Sequence, residues 1–365
     1  MKYEIKCSVC GRKTNNPLDY ICECGKPLQV YIYLNFEIEK IKKEEFTVWR
    51  YLHVFPYINK DEIVTLGEGW TPLVKASKNL YFKLENLNPT GSFKDRGSTV
   101  LISRIHKLVR QKKGFITEDS SGNAGASIAA YSANVGLKAK IYVPENVSGQ
   151  KFNQIKYYGA EIVKVSGSRN RVTEEAQKPE AGKFYIGHVF HPLFRDGIRT
   201  LAYEIAEQFK WQVPERIYLP VSAGTLLLGV IEGFKHLKSS EIITEIPKIV
   251  ACQTMQVSPL YHHFKNAPYT PPKKITSIAD ALVSVNPPLL EIMVKSLREI
   301  KGEVEVVDED DIKNCFHELA RRGFFVEPSS AVAYAAYKKQ FKSKQVSDNQ
   351  KALVILTGNG LKTTL

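Results

Sequence analysis

The sequence predicts an α/β fold built on parallel sheets, and three observations carry that prediction. Short apolar runs alternate with amphipathic segments from Phe115 onward, so strands and helices follow one another in turn. Glycine-containing turns join a strand to a helix at Ser120–Gly125 and Ser222–Gly229, and the last apolar run, Lys351–Thr357, also ends in a glycine turn. A separate segment, residues 1–35, holds four of the six cysteines.

Composition sets the bounds. The 365 residues suffice for two domains, and 43% apolar with 24% charged residues is ordinary for a globular protein. No apolar run is long enough to span a membrane, and Met1–Lys6 lacks the apolar core of a signal peptide, so a cytoplasmic protein is expected. The net charge of +13 raises nucleic acid as a partner, but the basic residues are dispersed and no nucleic-acid motif accompanies them. Neither nucleic acid nor membrane is expected to bind. A lysine-rich surface suits small anionic molecules instead.

In chain order, Cys7, Cys10, Cys22 and Cys24 form two close pairs, each followed by a glycine. Two thiolate pairs on adjacent turns suit a tetrahedral zinc site, a zinc-ribbon-like segment. The second pair has one spacer residue, so reduced free cysteines or a degenerate site is the alternative. Tyr31 to Lys60 mixes short pieces and reads as a linker wrapping on the main body. Leu80–Glu85 alternates as a strand should.

Next comes Pro89–Gly97, PTGSFKDRG, followed by an amphipathic helix through Val109. Lys94 falls at or just before that helix's N-terminus, beside Phe93. A helix dipole and an aromatic neighbour both disfavour an ammonium, which turns a lysine into a nucleophile. Strands at Phe115–Glu118, Ala139–Pro144 and Glu161–Val165 alternate with helices at Gly125–Val135 and Gly149–Tyr158. Further on, helices are expected at Gly197–Lys210, Thr225–Leu237, Asp310–Gly323 and Ser329–Tyr337, and strands at Arg216–Val221, Pro247–Thr254 and Val304–Val307. The proline-rich stretch Gln256–Pro288 is expected to cap the site. His262 and His263 within it read as solvated loop residues, and the eight histidines show no metal spacing.

PTGSFKDRG resembles the lysine segment of the pyridoxal-phosphate (PLP) enzymes of fold type II, the tryptophan synthase β family, with wording closest to threonine synthases. Three further segments match in the same order: DSSGNAGAS at 119–127, PVSAGTLLLG at 220–229 and LTGNGLK at 356–362. The resemblance covers residues 65–365. It implies two doubly wound parallel-sheet domains: a large PLP-binding domain from residues 36–95 and 196–365, and a small mobile substrate domain from 96–195.

The same resemblance implies the site. Lys94 would hold PLP covalently and act as the base at Cα, with Phe93 beside it. Ser222, Ala223, Gly224, Thr225 and Leu226 would bind the cofactor phosphate at a helix N-terminus. Asn123 would meet the cofactor's phenolic oxygen, and Glu327 would lie near the ring. Thr357 would face the pyridine nitrogen, where a neutral hydroxyl favours elimination over transamination. Ser120, Ser121, Asn123 and Ala124 would cradle the substrate carboxylate.

The implied activity is conversion of O-phospho-L-homoserine to L-threonine by a homodimer. The phosphate subsite departs from the family wording: where threonine synthases carry an Asn-Ser pair and an arginine, this chain has His188-Val189 and Phe194, and Ala124 stands for a threonine. Lys151, Arg195 and Arg199 are the candidate compensating cations. Alternatives are a paralogue acting on another substituted amino acid (a cysteate synthase on O-phosphoserine, or a serine/threonine dehydratase) and a binding or regulatory protein without turnover.

Overall fold

The computed structural model describes residues 2–363. The chain forms two compact units, Met1–Trp70 with Asn88–Thr200 and Lys362–Leu365, and Thr71–Leu87 with Leu201–Leu361. This division groups residues 36–70 and 88–95 with the first unit, whereas the sequence reading joins them to the larger domain.

In the first unit the strands Glu161–Val165, Ala139–Pro144, Phe115–Glu118 and Lys183–Tyr185 form a four-stranded parallel sheet in that order. The helices Lys94–Gln111, Asn123–Asn134, Gln150–Tyr157, Arg169–Gln177 and Pro192–Ile198 accompany it. Parallel neighbours require crossovers, and helices supply them. The N-terminal segment adds an antiparallel sheet, Lys13–Thr14, Tyr3–Cys7 and Leu28–Ile32. The stretch expected to be a linker is core instead: Val48, Trp49, Tyr51 and Phe55 are buried. Four bulky apolar residues within eight positions cannot stay in water cheaply, and the 3₁₀ geometry of Val48–Val54 turns them inward.

The second unit holds a six-stranded sheet in the order Glu303–Val307, Lys248–Thr254, Arg216–Pro220, Ala352–Leu356, Leu80–Leu84 and Leu73–Lys75, parallel except for the last pair. Ala352–Leu356 is buried at every position, as a central strand covered on both faces must be. Lys83 breaks the apolar pattern of its strand. It is fully buried and paired with Glu204, and its Nζ also donates to Gln208 Oε1 (2.9 Å) and the Thr71 carbonyl (2.5 Å). A buried ammonium persists only with such a partner set.

The expected helix Gly197–Lys210 is two, Pro192–Ile198 and Thr200–Gln208. His191 begins the first as its N-cap, accepting the Leu193 N–H, with Pro192 at a position that suits it. Helix Arg169–Gln177, strand Lys183–Tyr185 and helix Leu290–Glu299 have no counterpart in the sequence reading. No helix among the described residues is long and apolar enough to cross a membrane.

Candidate active site

Lys94 is the first residue of its helix. Asp95, fully buried, fixes the preceding loop by accepting hydrogen bonds from Thr90 N (2.7 Å) and Thr90 Oγ1 (2.6 Å), and it accepts another from Ser127 Oγ (2.6 Å). Lys362 Nζ and Gln154 Nε2 both donate to the Thr90 carbonyl, at 2.7 and 3.0 Å. The loop is therefore held from three sides, which orients the lysine that follows.

Two glycines bring the next helix close. A Cβ on Gly97 would lie 2.6 Å from the Phe194 ring, and one on Gly197 would lie 2.1 Å from the Arg96 carbonyl oxygen. Phe194 thus reaches the lysine: Lys94 Nζ lies 5.8 Å from its ring centroid and 4.8 Å from that of Phe93. Burial among such groups lowers the Lys94 pKa from 10.5 to about 8, against a smaller opposing pull from the Glu118 carboxylate. The helix start anticipated in the sequence is therefore joined by desolvation, which dominates. Two residues earlier, the Ser92 hydroxyl is buried and makes no hydrogen bond among the described residues.

Asp119 anchors the loop that follows the strand Phe115–Glu118: its carboxylate accepts from Thr173 Oγ1 (2.5 Å) and Tyr185 OH (3.0 Å) and pairs with Arg169 (2.8 Å). Ser120, Ser121 and Asn123 are half-buried, and Ala124 is buried. Gly125 is obligatory because a Cβ there would stand 1.8 Å from the Ser120 carbonyl oxygen.

In the second unit, Gly224 rather than Thr225 caps the helix Thr225–Ser239. Its φ is +97°, and a Cβ would meet Met293 Sδ at 2.4 Å, so both conformation and packing exclude a side chain. The first intrahelical donor after the turn is Leu228, onto the Gly224 carbonyl (3.0 Å), and helix ends of this kind turn earlier N–H groups outward. Ser222 Oγ accepts the Ser284 N–H (3.4 Å), tying the proline-rich stretch to this turn.

Thr357 ends the last strand, and Ser330 holds it. The Ser330 hydroxyl lies 2.9 Å from Thr357 Oγ1 and accepts the N–H groups of Thr357 and Gly358, each at 3.0 Å. Glu327 is buried alongside, where a Cβ on Gly358 would collide with its carboxylate at 2.1 Å.

The model of the pyridoxal-phosphate dependent enzymes matches residues 64–358. The chain belongs to that family. It is 34% identical to the threonine synthase of Methanocaldococcus jannaschii, over 98% of this chain and 92% of that one, and 31% identical to the threonine synthase of Methanosarcina acetivorans, over 99% and 92%. Among solved structures, the serine racemase of Dictyostelium discoideum superposes with a TM-score of 0.66 at 28% identity, covering 81% of this chain and 93% of that one. Maize serine racemase, at 24% identity and a TM-score of 0.69, covers 91% and 95% and shares the fold.

The residues present suit the pyridoxal-phosphate family's cofactor. An amine pushed toward neutrality matches an aldehyde, a buried serine hydroxyl is available next to it, and a glycine-capped helix N-terminus matches a phosphate. A PLP enzyme of this fold class was legible in four motifs, but three contributors were not. Ser330 lay inside the Glu327–Ala331 stretch without being distinguished from its neighbours. Met293, which fixes the Gly224 turn, belongs to a helix that the sequence reading passed over. Glu118 sits just before the Ser120 loop, and its only signal was a carboxylate ending an apolar strand.

Arg195 and Arg199 are spent elsewhere. Arg195 donates to the carbonyls of Val189 (2.8 Å), Phe190 (2.9 Å) and Leu28, while Arg199 pairs with Asp196 (2.6 Å) and donates to the Val30 carbonyl (3.2 Å). They fasten the N-terminal sheet, a task different from the one expected. Lys151 stands half-buried on the helix Gln150–Tyr157. His262 is on the short helix Pro259–Phe264, its Nδ1 2.9 Å from the Ser258 carbonyl oxygen. The four cysteine sulfurs of residues 7, 10, 22 and 24 lie within 4.8 Å of one another.

Proposed function

We propose that this PLP-dependent enzyme is a threonine synthase, a lyase that converts O-phospho-L-homoserine and water to L-threonine and phosphate. The observation that carries the reading is the 34% identity to a threonine synthase over nearly the whole chain, beyond the PLP family match itself. In this reading Lys94 holds the cofactor, beside Phe93, and afterwards takes the substrate's Cα proton. Its low pKa supports both tasks, because a base must be neutral near working pH to accept a proton.

When bound, the cofactor supplies an electron sink for the charge that develops at Cα. The amides of Ser222–Leu226 hold its phosphate, and Asn123 donates to its phenolic oxygen. Thr357, oriented by Ser330, offers a neutral hydroxyl to the ring nitrogen, with Glu327 close by. Ser120, Ser121, Asn123 and Ala124 hold the substrate carboxylate, and Lys151 supplies positive charge to the substrate phosphate. Residues 96–195 act as the substrate domain.

One observation favours a second reading. Where threonine synthases carry an arginine, Phe194 is fully buried against Gly97. A site without that arginine suits a paralogue acting on O-phosphoserine, serine or threonine. A substrate panel decides: phosphate release from O-phosphohomoserine and from O-phosphoserine, and keto-acid formation from serine and threonine. The expected result is phosphate release from O-phosphohomoserine at least about 10²-fold faster, in kcat/KM, than any other reaction of the panel, in line with the discrimination a polar subsite achieves. Preference for another member overturns the first reading.

We also propose that the four cysteines hold a structural zinc ion. Four thiolates at ~2.3 Å from a tetrahedral ion stand ~3.8 Å apart. The pairs Cys7–Cys24, Cys10–Cys22 and Cys10–Cys24 are 3.6, 3.7 and 3.5 Å apart. Backbone N–H groups of Val9 and Cys10 point at Cys7 Sγ, both at 3.5 Å, and stabilise a thiolate. Elemental analysis of purified protein should find about one zinc per chain, as four-thiolate sites hold one ion. Less than half of that ends the idea.

A further inference from the structure

Glu118 is fully buried, and both its oxygens serve one residue. Oε2 accepts the His188 backbone N–H at 2.9 Å, and Oε1 lies 2.7 Å from His188 Nδ1. A carboxylate at Nδ1 fixes the proton there and leaves Nε2 for other chemistry. Among the described residues Nε2 makes no hydrogen bond, and it is not sealed from solvent; the side chain keeps 10% of its exposure. His191, three residues on, shows the contrast: it is fully buried, and its Nδ1 caps a helix.

The imidazole also stands beside the lysine. Its ring packs edge-on against Phe194 at 5.7 Å, the same ring that lies 5.8 Å from Lys94 Nζ, and Glu118 acts electrostatically on that amine. The other charged or titratable groups around the pair are Asp119, which feels His188, together with Arg169 and Tyr185, which contact Asp119. His188 further occupies the place where threonine synthases carry the asparagine of their Asn-Ser pair.

We propose that His188 is a catalytic residue that binds the substrate's side-chain phosphate and protonates it on departure, with Glu118 as its positioning residue. This rests on the reading above that the substrate is an O-phosphorylated amino acid. The ester C–O bond breaks with its electron pair on the phosphate oxygen, and the Nε2 proton moves to that oxygen. The neutral imidazole then takes a proton from the water whose hydroxyl adds to Cβ, so the histidine returns to its starting state. Glu118 offsets the imidazolium charge throughout.

The test compares the holoenzyme with H188Q, H188N and E118Q. For H188Q, kcat for phosphate release from O-phosphohomoserine should fall by about 10²-fold, the usual contribution of one proton-transfer group. The alkaline limb of its pH–kcat profile should disappear, while the cofactor's absorption band stays. Inorganic phosphate, titrated calorimetrically into the holoenzyme, should bind at least about tenfold more weakly to H188Q, the loss of one charge-assisted hydrogen bond. E118Q should shift the alkaline limb without removing it. H188N, which restores the asparagine, should recover phosphate binding but not the limb, a result that a merely structural histidine would not give. A wild type that releases phosphate, with H188Q matching its kcat and pH profile, overturns this inference alone. A wild type that releases none defeats the substrate reading and this inference together.

Discussion

Lys94→Ala should abolish the cofactor's absorption band near the visible edge and lower turnover by at least about 10³-fold, because one side chain serves as both anchor and base. The structure explains why no neighbour substitutes: among the site residues named here it is the amine whose charge burial suppresses, to a pKa of about 8. The same shift gives a pH signature. Capture of pyridoxal phosphate by the cofactor-free protein should accelerate as pH rises, with a midpoint near 8 rather than near 10.5. The linkage sign agrees. A lysine whose folded pKa is depressed binds fewer protons folded than unfolded between those values, so its penalty on the fold is full below pH 8 and relieved as pH rises toward 10.5. Stopped-flow absorbance against pH checks the midpoint, and a capture rate flat from pH 7 to about 9 contradicts it.

Gly224→Ala should be the second most damaging change. At φ +97° a side chain is strained, at about 1–3 kcal/mol, before packing is counted. The added Cβ would also press on Met293 Sδ at 2.4 Å, forcing the helix start or the helix Leu290–Glu299 to shift. The expected outcome is a lower thermal midpoint together with at least about tenfold weaker pyridoxal-phosphate binding, the loss of one good charge-assisted contact. A variant that matches wild type in cofactor affinity would remove this turn from the phosphate site.

The sequence disclosed the α/β class through periodicity, because buried strands such as Ala352–Leu356 are apolar end to end and cannot be mistaken for an exposed face. It disclosed Lys94, Asn123, Gly224 and Thr357 as candidates because each lies in a short run whose order is informative. Contacts distant in sequence were hidden from it. Trp49 and Tyr51 read as linker residues because no local pattern announces packing against distant elements. Arg195 and Arg199 read as phosphate ligands because an arginine's charge is visible in a sequence, whereas the carbonyls of Leu28 and Val30 that claim it are not. Ser330 was silent for the same reason: a hydroxyl acquires its meaning from the strand end it holds.

The central claim is that the amine at position 94 is the one joined to pyridoxal phosphate. Reductive trapping of the holoenzyme with borohydride, followed by proteolysis and mass spectrometry, tests it most directly. The account predicts a pyridoxyl modification on the peptide carrying Pro89–Gly97, at Lys94, with a stoichiometry near one per chain. Modification confined to a different lysine, with Lys94 recovered unlabelled, would contradict it.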